Sequence, residues 1–269
     1  MIASDDNFLL QQDGHVATIT INRAEQHNTW HPSEMGPVFE RMVRACADND
    51  SVRVIVITGA GRFFCTGADV QALKAAQQCG VNPFPARERN DDDFNQRYSF
   101  LMSIPKPVIC AINGAAVGIG MVLPLFCDIR YAASSAKLSA AFARRGLVAE
   151  HGIAWLLSRL IGLPRAMEWL MSGRTLGAEE AERFGLVNAV FADDSFQADV
   201  MRCAQELANN VSPRSVRIIK RQVYEGTRQS LAQAVHEAED ELQGCILSED
   251  LKEGVAHFLE KRPARFTGR

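Results

Sequence analysis

The chain of 269 residues is 47% apolar and 23% charged, which fits a soluble α/β unit with a sizeable core and a smaller attached segment. A formal charge of −3 gives no electrostatic footprint for nucleic acid, so no such partner is expected. No apolar run approaches the roughly 18 residues needed to cross a bilayer, so no membrane association is expected either.

The opening Met1-Ile2-Ala3-Ser4-Asp5-Asp6 has neither a basic region nor a long apolar stretch, so no secretory signal is visible and a cytoplasmic location is expected. Period-two alternation from His15 to Asn22 predicts a strand. A polar turn follows over residues 22–28, and Ser33 is expected to cap a helix of about 16 residues ending near Asn49. The β-branched run Val52-Arg53-Val54-Ile55-Val56-Ile57-Thr58 predicts a strand buried in a mainly parallel sheet. It leads into the glycine turn Gly59-Ala60-Gly61-Arg62-Phe63-Phe64-Cys65-Thr66-Gly67-Ala68-Asp69 and a helix from Asp69 to about Gln78. Residues 79–93, with Pro83, Pro85 and Asp91-Asp92-Asp93, read as a mobile loop, and a helix is expected around 94–103. Pro105 and Pro107 introduce the short strand Val108-Ile109-Cys110-Ala111-Ile112. A second glycine turn, Asn113-Gly114-Ala115-Ala116-Val117-Gly118-Ile119-Gly120, then opens an apolar helix to Phe126 that Pro124 should kink or shorten. Short strands near 128–132 and 137–140 precede a helix beginning near Gly152, and from about residue 195 the pattern is helical to the end. Seven scattered cysteines, none in C-x-x-C spacing and most in apolar runs, read as buried free thiols, and no metal site is expected.

Each glycine turn leaves a strand and enters a helix, exposing backbone N–H groups that no helix carbonyl can satisfy. Two such helix starts facing one another would form a pair of fixed donors for an oxygen that gains negative charge, an oxyanion hole. At these turns the chain resembles the enoyl-CoA hydratase/isomerase (crotonase) superfamily. The match runs through Ile21-Asn22-Arg23-Ala24, Phe64-Cys65-Thr66-Gly67-Ala68-Asp69, the second glycine turn, Cys127-Asp128-Ile129-Arg130, Gly185-Leu186-Val187-Asn188 and His257-Phe258-Leu259-Glu260-Lys261-Arg262. The resemblance implies an α/β fold: a crotonase-like spiral of ββα repeats over residues 1–194. A helical C-terminal region, 195–269, would serve oligomerisation and the coenzyme groove. It also implies a homotrimer or dimer of trimers.

Carried over residue by residue, the resemblance puts the oxyanion donors on the N–H groups of Ala68 and Ile119. Isoleucine stands where the family has a glycine, and a requirement for φ > 0 there would make it costly. The two glutamates that position water in hydratases of this family correspond to Val122 and Phe142, neither of which can move a proton. Glu150 corresponds to a carboxylate used by other relatives and is the expected acid/base. His151 is a second candidate, although neighbours at a helix start are expected to point in different directions. The implied substrate is an acyl-CoA thioester, so coenzyme A is part of the substrate and no separate cofactor is called for. Gln26, Thr66, Ala68, Asp69, Phe258 and Lys261 fall at its binding positions. The stretch 261–269 adds four basic residues and no acid, while Glu25 and Gln71 replace lysines often found near the phosphates. Trp30 and His31 could line the acyl pocket, with ordinary packing the favoured reading. Hydration and double-bond isomerisation share the enolate and stay open, and a non-catalytic acyl-CoA-binding homologue is the alternative. Dinucleotide binding fails because Leu123 occupies the third glycine position and Leu138 cannot hold a ribose.

Overall fold

A computed structural model describes residues 5–31, 33–80 and 91–269. The chain opens with an antiparallel hairpin, β1 (Phe8–Asp13) and β2 (Val16–Ile21), in register Phe8↔Ile21. Only β2 was expected. β1 is an edge strand whose second half, Gln11-Gln12-Asp13, is exposed, so it carries little apolar alternation. The next helix, α1 (Met35–Asp48), starts two residues after Ser33, which does not cap it. The His31 carbonyl instead accepts from the N–H groups of Glu34 and Met35. Met35, Phe39, Met42, Val43 and Cys46 form its buried stripe.

Three successive segments then each contribute two strands, the first to a large sheet and the second to a small one. They are β3 (Val54–Gly59) with β4 (Phe63–Cys65), β5 (Val108–Ile112) with β6 (Ala115–Val117), and β7 (Ile129–Ala133) with β8 (Lys137–Ser139). The helices that separate or follow these pairs are α2 (Val70–Gln78), α3 (Phe100–Ser103), α4 (Ile119–Leu125) and α5 (Ile153–Leu160). Next come α6 (Leu163–Ser172), β9 (Thr175–Gly177), α7 (Ala178–Phe184) and β10 (Ala189–Phe191). The large sheet has the order β1-β2-β3-β5-β7-β10, parallel from β2 onward, and the small one β4-β6-β8-β9. The chain finishes as α8 (Phe196–Asn209), α9 (Pro213–Glu225), α10 (Leu231–Ile246) and α11 (Glu249–Glu260), the expected helical C-terminal region.

Two short strands, β4 and β6, thus lie inside the glycine turns, where no strand was expected. The helix expected around 94–103 is reduced to α3. Before it, Asp92 and Ser99 take backbone N–H groups of Phe94 and Gln96 with their side chains, and such local bonds compete with helix formation. Of the expected mobile loop, residues 81–90 lie outside the described residues. α4 ends one residue after Pro124, so the proline shortens it.

One face of the large sheet packs on α1 and on the small sheet with its helices. The other carries α8, whose Phe196, Val200, Ala204 and Ala208 lie against Val54, Val56, Ile109 and Ala111. The helical region is tied down by a buried polar cluster on α9. Lys220 Nζ donates to Asp128 Oδ2 at 2.8 Å and to the carbonyls of Leu101 and Lys106, while Tyr224 OH donates to Asp128 Oδ1 at 2.8 Å. Removing the ammonium leaves a buried carboxylate short of its cation. Lys220→Met should therefore lower stability by about 3–5 kcal/mol in denaturant unfolding. An unchanged midpoint would mean that α9 is held by its apolar face alone.

Candidate active site

The two glycine turns run side by side because β4 and β6 pair in parallel, Phe63↔Ala115 and Cys65↔Ala116. Two asparagines clamp them from the flanks. Asn28, fully buried, donates to the carbonyls of Ala60 (2.9 Å) and Phe63 (2.6 Å). Asn113 accepts from Gly59 N–H at 3.1 Å and donates to the Gly61 carbonyl at 2.9 Å. The backbones touch where side chains are missing. Gly67 sits at φ 104° with room for a Cβ only 3.0 Å from the Val117 carbonyl oxygen, and a Cβ on Gly120 would lie 2.1 Å from that of Cys65.

Ala68 follows Gly67 directly, and Ile119 directly precedes Gly120. Among the described residues neither backbone N–H donates a hydrogen bond, and Ile119 opens α4, so no helical carbonyl lies ahead of it. The left-handed position falls on Gly118 (φ 55°) and not on Ile119, so the isoleucine carries no backbone strain.

Trp30 forms a β-bridge with Ala68, which fixes its indole beside the first turn. It is also core, packed edge-to-face on Phe8, Phe39 and Tyr98. His31 Nε2 lies 3.2 Å from Asp69 Oδ2. Thr66 Oγ1 donates to the His27 carbonyl at 3.0 Å, and Gln26 accepts from Arg23 on the exposed early turn. Phe258, 77% exposed on α11, and Lys261, its C-cap, make no hydrogen bond, ion pair or ring contact with these residues in the single chain. Val122 and Phe142 are both buried among apolar neighbours.

Glu150 and His151 start a single helical turn ahead of α5. Contrary to the expectation that they diverge, they face each other. His151 adopts φ 56°, ψ 24°, a left-handed conformation that turns its ring back to within 3.7 Å of the Glu150 carboxylate. Histidine is among the few side chains enriched there. The contact is at ion-pair distance, but burial, aided by the Arg97 charge, lowers the His151 pKa to about 4, so the imidazole is neutral. Burial also raises Glu150 above its ordinary range, and among the described residues its carboxylate accepts no hydrogen bond.

Tyr98, which nothing in the sequence marked, packs edge-on against the His151 ring at 5.0 Å. It comes from a polar segment without periodicity, so no sequence signal was available. The site opens beside His151 and Gly152 into a cavity of about 350 Å³ that Phe94, Met102, Phe126 and Trp155 also line. A cavity of about 470 Å³ near Arg53 and Pro107, at the starting ends of β3 and β5, is remote from both turns. Among the described residues no group of three His, Cys, Asp or Glu side chains is placed to hold a metal, and no helix is long and apolar enough to cross a membrane.

The profile of the enoyl-CoA hydratase/isomerase family matches residues 11–269. The chain belongs to the enoyl-CoA hydratase/isomerase family. It is 35% identical to the 1,2-epoxyphenylacetyl-CoA isomerase of Escherichia coli, covering 94% of this chain and 95% of the relative. It is 32% identical to 4-chlorobenzoyl coenzyme A dehalogenase-2 of Arthrobacter sp, covering 96% and 90%. Among solved structures, an enoyl-CoA hydratase from Polaromonas sp. superposes with a TM-score of 0.85 at 28% identity, covering 96% of this chain and 99% of that one. The two sheets built from alternate strands, with helices following, are thus the crotonase fold, and this member is an enzyme of that family.

The neutral His151 makes a pH prediction. Its folded pKa of about 4 lies below the ordinary 6.5, so between those values the unfolded chain binds a proton that the folded enzyme does not. Stability should therefore fall as pH drops through this window, by up to about 3 kcal/mol. Asparagine accepts the left-handed backbone without titrating, so His151→Asn should flatten that slope. Glu150 contributes with the opposite sign in both proteins and cancels in the comparison. Parallel stability curves for the two proteins, from unfolding at a series of pH values, would refute the burial of a neutral imidazole.

Proposed function

We propose that this enzyme binds an acyl-CoA thioester and stabilises its enolate, with the N–H groups of Ala68 and Ile119 as the oxyanion hole and Glu150 as the acid/base. The observation that carries this reading is the pairing of the two turns. It sets two acceptor-free N–H groups at the same end of parallel strands, clamped by Asn28 and Asn113. The Glu150 carboxylate would take a proton from the carbon next to the thioester carbonyl. The bonding pair would shift to form a carbon–carbon double bond, and the carbonyl electrons would move onto the oxygen. Each N–H would contribute about 2.7–4 kcal/mol as that charge develops. Return of the proton to the γ-carbon of a β,γ-unsaturated acyl group would shift its double bond. Hydration would start instead from an α,β-unsaturated thioester: water adds to the β-carbon as Glu150 takes its proton, and the resulting enolate is then protonated at the α-carbon.

The surroundings of Glu150 support its role. A half-buried carboxylate with no donor has its pKa raised toward the range where a base is effective at neutral pH. Val122 and Phe142, at the usual glutamate positions, offer no competing proton carrier. Both relatives named above carry names of CoA-linked substrates. Gln26, Thr66, Ala68 and Asp69 would hold the adenosine end of the coenzyme. Phe258 and Lys261, free in the single chain, would meet it from a neighbouring subunit. The unburied apolar residues of α10 and α11, among them Leu231, Leu242, Leu251 and Leu259, support assembly as a homotrimer or dimer of trimers in the cytoplasm. The apolar pair Val122 and Phe142 favours one second reading, an acyl-CoA-binding homologue without catalysis.

Glu150→Gln separates the two. As a base, Glu150 must be ionised, so activity should fall as pH drops through its raised pKa, with the acid limb above the ordinary 4.5. The variant should keep thioester affinity and lose about 10²–10⁴ in turnover, and the limb with it. Equal turnover by both proteins across an acyl- and enoyl-CoA panel would remove Glu150 from the mechanism. Binding without turnover in either would favour the non-catalytic reading.

A further inference from the structure

The cavity of about 470 Å³ at the starting ends of β3 and β5 gathers basic side chains from separate parts of the chain: Arg53 before β3, Lys106 before β5, and Arg214 and Arg217 on α9. Among the described residues none of these four forms an ion pair. The chain is not short of acids, since Arg174, Arg221, Arg228 and Arg262 each hold two carboxylates. Asp50 is the one acidic side chain in the lining. It and Asp48 act on Lys106 through space, without an ion pair. Arg269 brings a guanidinium and, as the last residue, a carboxylate, which offset each other.

The walls are fixed by neutral partners. Lys106 Nζ donates to the carbonyls of Cys46 at 3.0 Å and Asn49 at 2.7 Å, at the end of α1. Arg53 donates to those of Ala208 at 3.1 Å and Phe266 at 2.7 Å, and Arg214 to Cys245 Sγ at 2.8 Å. A carbonyl positions a cation without cancelling its charge, and each of these groups keeps N–H donors to spare. Thr267 and Gly268 close one side because the buried Asp250 carboxylate takes their N–H groups at 2.8 and 3.0 Å. That acid also accepts from Ser212 Oγ at 2.6 Å, so its oxygens are engaged in holding the wall.

Four like charges around one cavity repel one another, and a free anion is the partner that would offset them. Four cations against Asp50 leave three positive charges uncompensated, more than a single carboxylate would meet. Three of the four are arginines, whose forked donors match phosphate oxygens in pairs. The volume lies in the range of small-molecule sites. No aromatic side chain lines it, so a nucleobase would find no ring to stack on.

We infer that this cavity binds a small oligophosphate, two or more linked phosphoryl groups recognised by charge and not by a nucleobase. It lies apart from both glycine turns and is independent of the acyl-CoA reading above. Inorganic oligophosphate and the phosphate chain of a nucleotide share this chemistry.

The test is calorimetric titration of the intact enzyme with tripolyphosphate and, separately, with magnesium-free ATP. Tripolyphosphate should bind with a Kd below about 1 mM in about 0.1 M salt and weaken as salt is raised. Orthophosphate should bind about tenfold or more weakly than tripolyphosphate, for want of the further charge-assisted hydrogen bonds. Arg217 is exposed, so the fold does not rest on it, and Arg217→Gln should weaken tripolyphosphate binding by about tenfold or more. Arg214→Gln should act in the same direction, while Lys261→Gln, in the proposed coenzyme groove, should leave this affinity unchanged. ATP binding as tripolyphosphate does, with the same dependence on Arg217, supports the inference and admits a nucleotide as the source. Tripolyphosphate binding of this kind without ATP binding supports an inorganic source. Absence of tripolyphosphate binding overturns the inference. So does binding that survives Arg217→Gln and Arg214→Gln but is lost in Lys261→Gln, which would place the anion in the coenzyme groove. Orthophosphate binding as tightly as tripolyphosphate, or ATP binding far more tightly with the same Arg217 dependence, also overturns it.

Discussion

The approach of two backbones, β4 against β6, is the constraint on which the rest of the site depends. It is possible only because Gly67 and Gly120 carry no Cβ: at Gly120 a methyl group would stand 2.1 Å from the Cys65 carbonyl oxygen, far inside van der Waals contact. Asn28 and Asn113 convert that approach into a fixed register by bonding carbonyls and N–H groups of the first turn from either flank. Donors held in this way belong to the main chain. A side-chain replacement leaves them in place provided the backbone angles survive, and at Ile119 they do, because Gly118 absorbs the left-handed turn.

Two buried polar clusters lie in the same fold, and their difference is informative. Around Asp128 every partner is supplied: Lys220 and Tyr224 donate to its two oxygens, Val108 N–H joins them, and the remaining ammonium protons go to carbonyls. That cluster fastens α9 to the core and has nothing left to offer a ligand. Around Tyr98 the opposite holds. Among the described residues Trp30, Tyr98 and His151 each keep an unpaired atom, Glu150 has no donor, and His151 is held in a left-handed conformation that few side chains adopt. Of the five buried side-chain N and O atoms without a hydrogen bond among the described residues, three lie at this one place, Arg23 Nε and Gln229 Oε1 being the others. That place adjoins the paired turns through the Trp30–Ala68 bridge.

What the sequence disclosed follows from how local each signal is. β3, β5, α2, α4 and the C-terminal helices were legible because apolar runs and glycine or proline breaks are properties of neighbouring residues. β1 was missed because an edge strand need not alternate, and β4 and β6 because three residues cannot show a period. Ser33 looked like a cap by type, yet the His31 carbonyl took the helix-start N–H groups, a choice set by the path of the early turn. Glu150 and the glycine turns could be named from motif position. Tyr98 could not, since its place beside His151 is made by tertiary packing of a segment with no pattern of its own. The convergence of Glu150 and His151 was misjudged for a related reason: a left-handed residue reverses the direction that sequence neighbours normally take.

These facts divide the site into two layers with different sensitivities to substitution. The proposed enolate-holding layer is main chain, and it changes only if glycines or clamping asparagines change. The proposed layer above it would draw on side chains from separate parts of the fold: Trp30 before α1, Tyr98 before α3, Val122 in α4, Phe142 after β8 and Glu150 before α5. No two of these occupy the same secondary-structure element, so each can vary without moving the donors or one another's backbone. In the proposed function a change at one of these positions would alter which proton carriers the site holds and leave the main-chain donors as they are. The fold can therefore keep one geometry while relatives about a third identical over nearly their whole length carry the names of an isomerase and a dehalogenase. Under the proposed function the reaction would be decided in that side-chain layer, where Glu150, its pKa raised by burial and faced by a neutral imidazole, would carry the proton.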